Sequence, residues 1–153
     1  MIGDGAFTLC KGLKKITLPQ SIRKIGRYAF CGTSIRNVHL PDSITTLSND
    51  VFSDCKQLNH ISLPTSLESI PSRFLSGTAV QQLDIPDSVK YIGDDFMGHM
   101  QNTGLSVKMY GRPPRITPKT FYEVLRVNVS VPKQLYDSYK MARYWQEMNI
   151  IPY

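Results

Sequence analysis

Val38-His39-Leu40-Pro41-Asp42-Ser43-Ile44 is the stretch that decides the fold, because the chain repeats its pattern three more times. The copies cover residues 16–22, 61–67 and 83–89, and each is an alternating apolar segment that runs into a proline. The four prolines are separated by 22, 23 and 22 residues. A fixed step of about 20 to 29 residues is typical of solenoids, in which each repeat buries its apolar side against the next. The sequence therefore predicts a stack of coils.

The strand segment of each repeat predicts which side chains point inward. A period of two places Leu18, Leu40, Leu63 and Ile85 in one buried column. The proline that follows has no N–H group and ends the strand. A serine recurs two residues after every proline, and we expect its hydroxyl to bond the backbone of its own or the neighbouring turn. No repeat contains a ten-residue helical pattern, so strand, turn or 3₁₀ structure is expected on the far side.

The other half of each repeat closes on an aromatic residue. The aromatic is Phe7, Phe30 and Phe52 in the first three coils and moves one place earlier in the repeat at Phe74 and Phe96. Because side chains in a core are closely packed, we expect local repacking where the aromatic moves.

The pattern weakens after residue 96 but continues to the end of the chain. Residues 105–109 predict a fifth strand and residues 127–131 a degenerate sixth that ends at Pro132. We therefore predict a β-rich, right-handed solenoid of about six coils of 22–23 residues in residues 1–132. Residues 133–153 predict a C-terminal capping α-helix, from Lys133 to about Met148, and a tail. The apolar residues at helical spacing are Leu135, Tyr139, Ala142, Trp145 and Met148.

The first coil begins inside a repeat, so we expect an open apolar edge at that end. Our expectation is a fragment of a longer repeat protein. The alternative is that two chains pack through this edge, although we expect a monomer.

Charge and composition exclude several classes. The net charge of +6 divides into +6 for residues 1–36, −5 for residues 37–104 and +5 for residues 105–153. A nucleic-acid binder more often has one continuous basic stripe, so nucleic acid is not favoured. The sequence has no stretch of about 18 apolar residues that predicts a membrane span and no signal-peptide pattern. Cys10, Cys31 and Cys55 are predicted to be reduced, buried hydrophobic residues.

The repeat unit I-G-x-x-A-F-x-x-C-x-x-L-x-x-I-x-L-P-x-S-I, which is complete in residues 2–22, resembles the BspA-type leucine-rich repeat. The ending Val131-Pro132, Tyr139-Lys140 and Trp145 is similar to the closing segment of bacterial members. The chain departs from the family at Pro71, where glycine is usual, and in residues 98–126. The resemblance implies a leucine-rich-repeat fold and a secreted or surface-anchored protein of host-associated microbes that binds other proteins. It implies no catalytic residues and no cofactor.

The predicted binding site is the outward side of the stacked strands, because solenoids use such extended surfaces for recognition. The alternative is that these are simply solvated strand residues. The residues on this surface are Lys15, Thr17, Asn37, His39, His60, Ser62, Gln82, Asp84 and Lys108.

Metal and acid–base chemistry find little support in the sequence. His39 and His60 are predicted to lie diagonally on adjacent strands, but a metal site needs three or four ligands, and only Asp84 or Asn37 is available. Asp94 and Asp95 form an acidic pair around which no pocket is predicted. We therefore predict no metal site, and His99 is expected to be a turn residue.

The sequence predicts a noncatalytic module that binds a protein or glycan on a host or neighbouring cell. One alternative is an anionic-polymer binder that uses Arg23, Lys24, Arg27 and Arg36. A second is a structural spacer in a longer repeat array. A third is an enzyme, which would require a cleft with a perturbed titratable group.

Overall fold

The coils stack two rows of short parallel strands, one on either side of a shared core. A computed structural model describes residues 1–99, 104–124 and 126–153, and within them the chain forms a β-solenoid of about six turns. This architecture confirms the fold class that the repeat period predicts.

The strands that end at the repeated prolines lie side by side in parallel, and we call their outward side the front face. Asn37, Val38 and His39 pair with His60, Ile61 and Ser62, and farther along Gln82 pairs with Ser106 and Asp84 with Lys108. The front strands are β2 (Asn37–His39), β4 (His60–Ser62), β6 (Gln82–Ile85), β8 (Leu105–Met109), β9 (Val127–Val131) and β10 (Asn149–Pro152). Residues 14–18 of the first coil hold the equivalent place without strand geometry.

A second row of strands lies where the sequence shows its second short apolar step. Two-residue strands are sufficient there because only one side chain of each pair is buried. The strands are β1 (Lys24–Ile25), β3 (Thr46–Leu47), β5 (Ser69–Ile70) and β7 (Tyr91–Ile92). β1 pairs with β3 and β5 with β7, and single bridges extend the row to Ile2 and Arg115.

The core is one continuous apolar column. Leu18, Leu40, Leu63 and Ile85 are all buried in it, as the period of two predicts. The repeated serine also behaves as predicted: Ser43 donates to the carbonyl of Ile22 and Ser88 to that of Leu67, each in the preceding coil. These bonds tie neighbouring coils together at the same place in the repeat.

The aromatic residues confirm the predicted repacking. The rings of Phe7 and Phe30, and of Phe30 and Phe52, are stacked with centroids 5.3 Å apart, whereas Phe52 and Phe74 meet edge to face at 77°. The backbone period is unchanged, since Phe52 N–H donates to the carbonyl of Phe74 as Phe30 N–H does to that of Val51. Phe74 therefore occupies the place that Val51 holds in the preceding coil.

Coils one to five each have two residues with left-handed backbone angles, four positions apart, and in coil six Glu123 has such angles at the second site. Such angles are costly for residues other than glycine. Even so, glycine occupies the first site only in coil one and the second site only in coils two and four. The first sites are Gly5, Tyr28, Asp50, Arg73 and Asp95, and the second sites are Leu9, Gly32, Asp54, Gly77, His99 and Glu123. These paired reversals turn the chain from the second strand row back to the front strands.

The C-terminal segment differs from the predicted helix. The α-helix α1 spans only Tyr136–Met141, between 3₁₀ turns at Lys133–Leu135 and Trp145–Glu147. Ala142 is extended and Tyr144 is left-handed, and these two residues end the helical path. The chain then returns as β10, which pairs in parallel with β9. A strand, rather than a helix alone, therefore covers the edge of the last coil.

The short helix still closes the end of the core. Trp145 is buried, packs edge to face on Phe121 and Tyr139, and donates its indole N–H to the carbonyl of Pro114 at 2.7 Å. Tyr139 donates its hydroxyl to the carbonyl of Gly111, and burial raises its pKa.

The cysteines are free thiols, but they are not all buried. Cys55 is buried and its Sγ donates to the carbonyl of Phe30, whereas Cys31 is half-buried and Cys10 is exposed. The prediction of burial is wrong for Cys10, because no coil covers the outer side of the first coil in this structure. It is also wrong for Cys31, which is only half-buried because it lies two residues before Thr33, the buried residue that matches Cys55 in the repeat. Burial raises the pKa of Cys31 and Cys55.

Candidate functional site: the front face

Two rows of outward side chains run along the front face, across the strands. The pairing register places one residue of each row opposite its counterpart between β2 and β4, and again among β6, β8 and β9. The repeat places Lys15 and Thr17 at the equivalent positions of coil one. One row is Lys15, Asn37, His60, Gln82, Ser106 and Asn128, and the other is Thr17, His39, Ser62, Asp84, Lys108 and Ser130. All nine residues that the sequence predicts for this surface are exposed or half-exposed on it. Whether they bind a ligand stays a prediction.

The face contains two adjoining depressions. The first, of about 630 Å³, is lined by the four front-face positions of coils one and two together with Lys14, and by His60 and Ser62 of coil three. The second, of about 610 Å³, lies over β4 and β6. His60 and Ser62 line both, so the two depressions form one continuous trough. Of the nine predicted residues, only Lys108 lies outside their walls.

Hydrogen bonds fix several of these side chains. His39 Nδ1 lies 2.6 Å from Ser62 Oγ across β2 and β4, and Tyr110 donates its hydroxyl to Asp84 at 3.2 Å. The Lys108 ammonium lies over the rings of Tyr110 and Tyr153, 5.1 Å and 4.6 Å from their centroids. Cation–π contacts of this kind hold a lysine against aromatic rings.

The ladder of front strands is interrupted under the second depression. β2 and β4 form one sheet, and β6 belongs with β8, β9 and β10 in another. Within the described ranges, no strand pairing joins β4 to β6. The front face therefore consists of two sheets that meet under the second depression.

Sequence reasoning missed five polar or aromatic residues of the trough. They precede or follow the alternating strand segments, and they are Lys14, Gln20, Thr65, Asp87 and Tyr110. Asp87 and Thr65 come directly after the repeated proline. Their place could have been found by noting that the post-proline residue varies from coil to coil while the proline and serine around it do not.

Asp42 marks the rim of the face beside β2. Its Oδ1 accepts hydrogen bonds from the Thr65 amide at 2.7 Å and the Thr65 hydroxyl at 2.9 Å. These two bonds favour the ionised form and hold the pKa of Asp42 below its ordinary value. The Asp42 carboxylate therefore links coil two to coil three at the rim of the face.

His39 and His60 lie diagonally on adjacent strands, as predicted, without a third side chain placed to complete a metal site with them in the described residues. The register places His39 opposite Ser62 and His60 opposite Asn37, so the imidazoles are diagonal neighbours. In residues 1–99, 104–124 and 126–153, no group of three or more His, Cys, Asp or Glu side chains is arranged to hold a metal ion.

The acidic pair and the isolated histidine lie in turns away from the front face. Asp94 accepts from the hydroxyl of Thr117, and burial raises the pKa of Asp95, whose Oδ1 packs against Gly98. His99 is a left-handed turn residue, as predicted, with Nδ1 2.7 Å from a carboxylate oxygen of Glu123. Neither acidic side chain lines the trough.

The basic residues proposed for an anionic polymer do not lie on one surface. Lys24 is in the second strand row, Arg27 lies over the ring of Tyr28 in a turn, and Arg36 lies at the start of β2 with its Nε directed at Gln57. Arg23 donates to the carbonyl of Ser43. The structure therefore divides the four cations between different sides of the coil.

Comparison with known proteins agrees with this architecture. The profile of the BspA type leucine-rich repeat region matches residues 1–103 in six copies. The chain belongs to this family. A crystal structure of a leucine-rich repeat protein from Bacteroides ovatus ATCC 8483 superposes with a TM-score of 0.62 at 20% identity, covering 99% of this chain and 51% of that one. This BspA-type chain thus spans about half the length of that protein, and the likeness concerns the fold.

A second solved structure, of a leucine rich cell surface protein from Faecalibacterium prausnitzii A2-165, aligns with a TM-score of 0.47 at 20% identity, over 99% of this chain and 56% of that one. A search of curated proteins found no significant match. Among the described residues, no helix has both the length and the apolar character needed to cross a membrane.

Proposed function

We propose that this leucine-rich-repeat module is a noncatalytic binding domain of a secreted or surface protein and that it contacts a protein or glycan through the front face. The observation that carries the proposal is the trough, whose exposed polar side chains come from successive coils and are in register where the strands pair, in β2–β4 and in β6–β8. Rigid presentation of these side chains reduces the ordering entropy that binding costs. The proposed location rests on the resemblance of the repeat unit to bacterial surface proteins.

A matched pair of threonine substitutions tests the proposal. Thr17→Trp places a large ring in the trough, whereas Thr46→Trp places the same ring on β3 in the second strand row, and both residues are exposed. Fluorescently labelled wild type and variants are applied to cultured epithelial cells, with thermal unfolding as the control for folding. Only Thr17→Trp should reduce binding. Equal binding of all three proteins would remove the front face from the proposal and favour a spacer role.

The chemistry of the partner is determined in the same assay. Trypsin treatment of the cells removes protein ligands, and mild periodate oxidation destroys glycan ligands. Loss of binding after only one of these treatments identifies the class. Loss of the Thr17→Trp effect after that treatment shows that the front face is the surface involved.

We propose that residues 1–132 and 133–153 form one module of a longer repeat array. The outer side of coil one supports this proposal, since Leu9 is exposed and Phe7, Leu13 and Ile16 are only partly buried. Fusing one more coil of the same repeat to that side should raise the midpoint of thermal unfolding, and a lower midpoint would contradict it.

A further inference from the structure

The two ends of the front-face trough carry opposite charge. Lys14 and Lys15 line the depression at coils one and two, whose walls contain no Asp or Glu. Asp84 and Asp87 line the depression at coils three to five, whose walls contain no Lys or Arg. The trough therefore changes sign along the solenoid axis, with His60 and Ser62 at the junction.

These four charges have no ionic partners within the described parts of the chain. No ion pair within 4.0 Å involves any of them. Lys108, the cation paired in register with Asp84, is directed at the rings of Tyr110 and Tyr153. Charges that are exposed, unpaired and grouped by sign are available to a ligand of complementary pattern.

We propose that the trough binds an extended peptide segment of a partner protein, with an acidic side chain at the Lys14/Lys15 end and a basic side chain at the Asp84/Asp87 end. This inference rests on the proposed binding function and names its partner class. An anionic polymer meets repulsion at Asp84 and Asp87, and a polycation meets it at the two lysines. A neutral saccharide leaves all four charges without partners. A peptide that carries both signs satisfies both ends.

The spacing of the two charges on the peptide follows from the coil repeat. Lys15 and Asp84 are on front strands three coils apart, and neighbouring parallel strands lie about 4.8 Å apart, which gives about 14 Å. An extended peptide advances about 3.3 Å per residue. The acidic and basic residues are therefore separated by about four positions. The Tyr110 ring, which lines the same depression as Asp84, adds a contact at the basic end of the peptide.

Short synthetic peptides test this charge pattern directly. The Glu/Lys probe is acetyl-Glu-Ser-Gly-Ser-Lys-amide, and the Glu/Glu, Lys/Lys and Gln/Gln probes differ from it only at the two ends. A further control, acetyl-Ser-Glu-Lys-Gly-Ser-amide, has the same composition with adjacent charges. Titration of the ¹⁵N-labelled protein at low salt, followed by amide chemical shifts, measures affinity and location together.

Wild type should bind the Glu/Lys probe most tightly, with a loss of roughly two- to fivefold for each mismatched end, the range of exposed ion pairs. The shifts should fall in β2, β4 and β6. The double variant Lys14→Glu/Lys15→Glu should then prefer the Lys/Lys probe, and the double variant Asp84→Lys/Asp87→Lys should prefer the Glu/Glu probe. The matched controls Lys140→Glu and Asp137→Lys, which change exposed charges on α1, should keep the wild-type order.

Three outcomes would overturn the inference. The first is that wild type binds the Glu/Glu probe at least as tightly as the Glu/Lys probe, which identifies an anionic ligand. The second is that the two charge-reversal variants keep the wild-type order of affinities, which places binding elsewhere. The third is that no charged probe binds more tightly than the Gln/Gln probe. If one of these occurs while Thr17→Trp still abolishes binding to cells, the binding module stands and the peptide inference alone is wrong. If Thr17→Trp has no effect either, both are wrong.

Discussion

Asp50 and Arg73 form an ion pair, and we expect substitution of Arg73 to destabilise the protein more than substitution of Asp50. Arg73 donates from Nε and Nη2 to the two carboxylate oxygens of Asp50, at 2.6 Å and 2.9 Å. The Asp50 side chain is only 4% exposed, whereas that of Arg73 is 44% exposed. Asp50 also has left-handed backbone angles, with φ of 61°. The hydrogen bonds that Arg73 donates to the Asp50 carboxylate raise the pKa of Arg73, so the guanidinium stays charged.

Arg73→Ala leaves the Asp50 carboxylate buried, with only the Ser53 hydroxyl at 3.3 Å and Arg27 at 3.8 Å. Removing one partner of a fully buried pair costs about 3–5 kcal/mol. Because Arg73 is partly exposed and Arg27 stays near, we expect a loss of about 2 kcal/mol. Asp50→Gly instead leaves the Arg73 guanidinium unpaired but exposed to water. The substitution also removes the strain of left-handed backbone angles at position 50, about 1–2 kcal/mol. We therefore expect its stability to lie within about 1 kcal/mol of wild type.

Thermal unfolding followed by circular dichroism measures these differences. For a chain of this size about 2–4 °C corresponds to 1 kcal/mol, so Arg73→Ala should lower the midpoint by about 4–8 °C. Adding Asp50→Gly to Arg73→Ala should recover most of that loss. The control is Lys90→Ala, which breaks the exposed 2.6 Å pair with Glu68 and should have no measurable effect. The reasoning is refuted if Asp50→Gly is as destabilising as Arg73→Ala and the double substitution shows the sum of the two losses.

Three further predictions concern single side chains. Tyr139→Phe removes the hydroxyl that bonds a backbone carbonyl and should destabilise the protein by about 1 kcal/mol in urea unfolding; no change would show that water replaces the hydroxyl. The folded-state pKa of Asp42 is lowered, so its contribution to stability is present above the ordinary aspartate pKa and is lost as pH falls through the folded value. NMR titration of Thr65→Val should therefore show the Asp42 pKa moving up. In the native protein N-ethylmaleimide should modify exposed Cys10 and spare buried Cys55, and equal rates would contradict the burial described above.

The repeat period allowed the front face to be predicted residue by residue, because strand alternation fixes which side chains point outward. Asn37, His39, His60 and Ser62 therefore lie where the spacing places them. The repeat period does not predict that the front face contains depressions. The trough depends on loop residues such as Tyr110, whose position follows from the path of the chain beyond each strand.

The C-terminal segment could not be predicted from spacing alone. The apolar stripe from Leu135 to Met148 has helical periodicity, but Tyr144 adopts left-handed angles that end the helical path, which no local pattern signals. A clue to β10 was nevertheless present. Asn149-Ile150-Ile151-Pro152 repeats the apolar segment that runs into a proline, 20 residues after Pro132.

The shift of the aromatic residue shows how such a repeat tolerates change. Phe74 fills the place of Val51 and Leu75 that of Phe52, so the summed size of the pair is similar and the backbone bonds between coils keep their period. Core changes are thus absorbed within one coil, because each coil contacts only its neighbours. The outward positions on the front strands are then fixed in space by the backbone period and are free to differ in charge. This separation of core from surface is what allows one trough to carry lysines at one end and aspartates at the other.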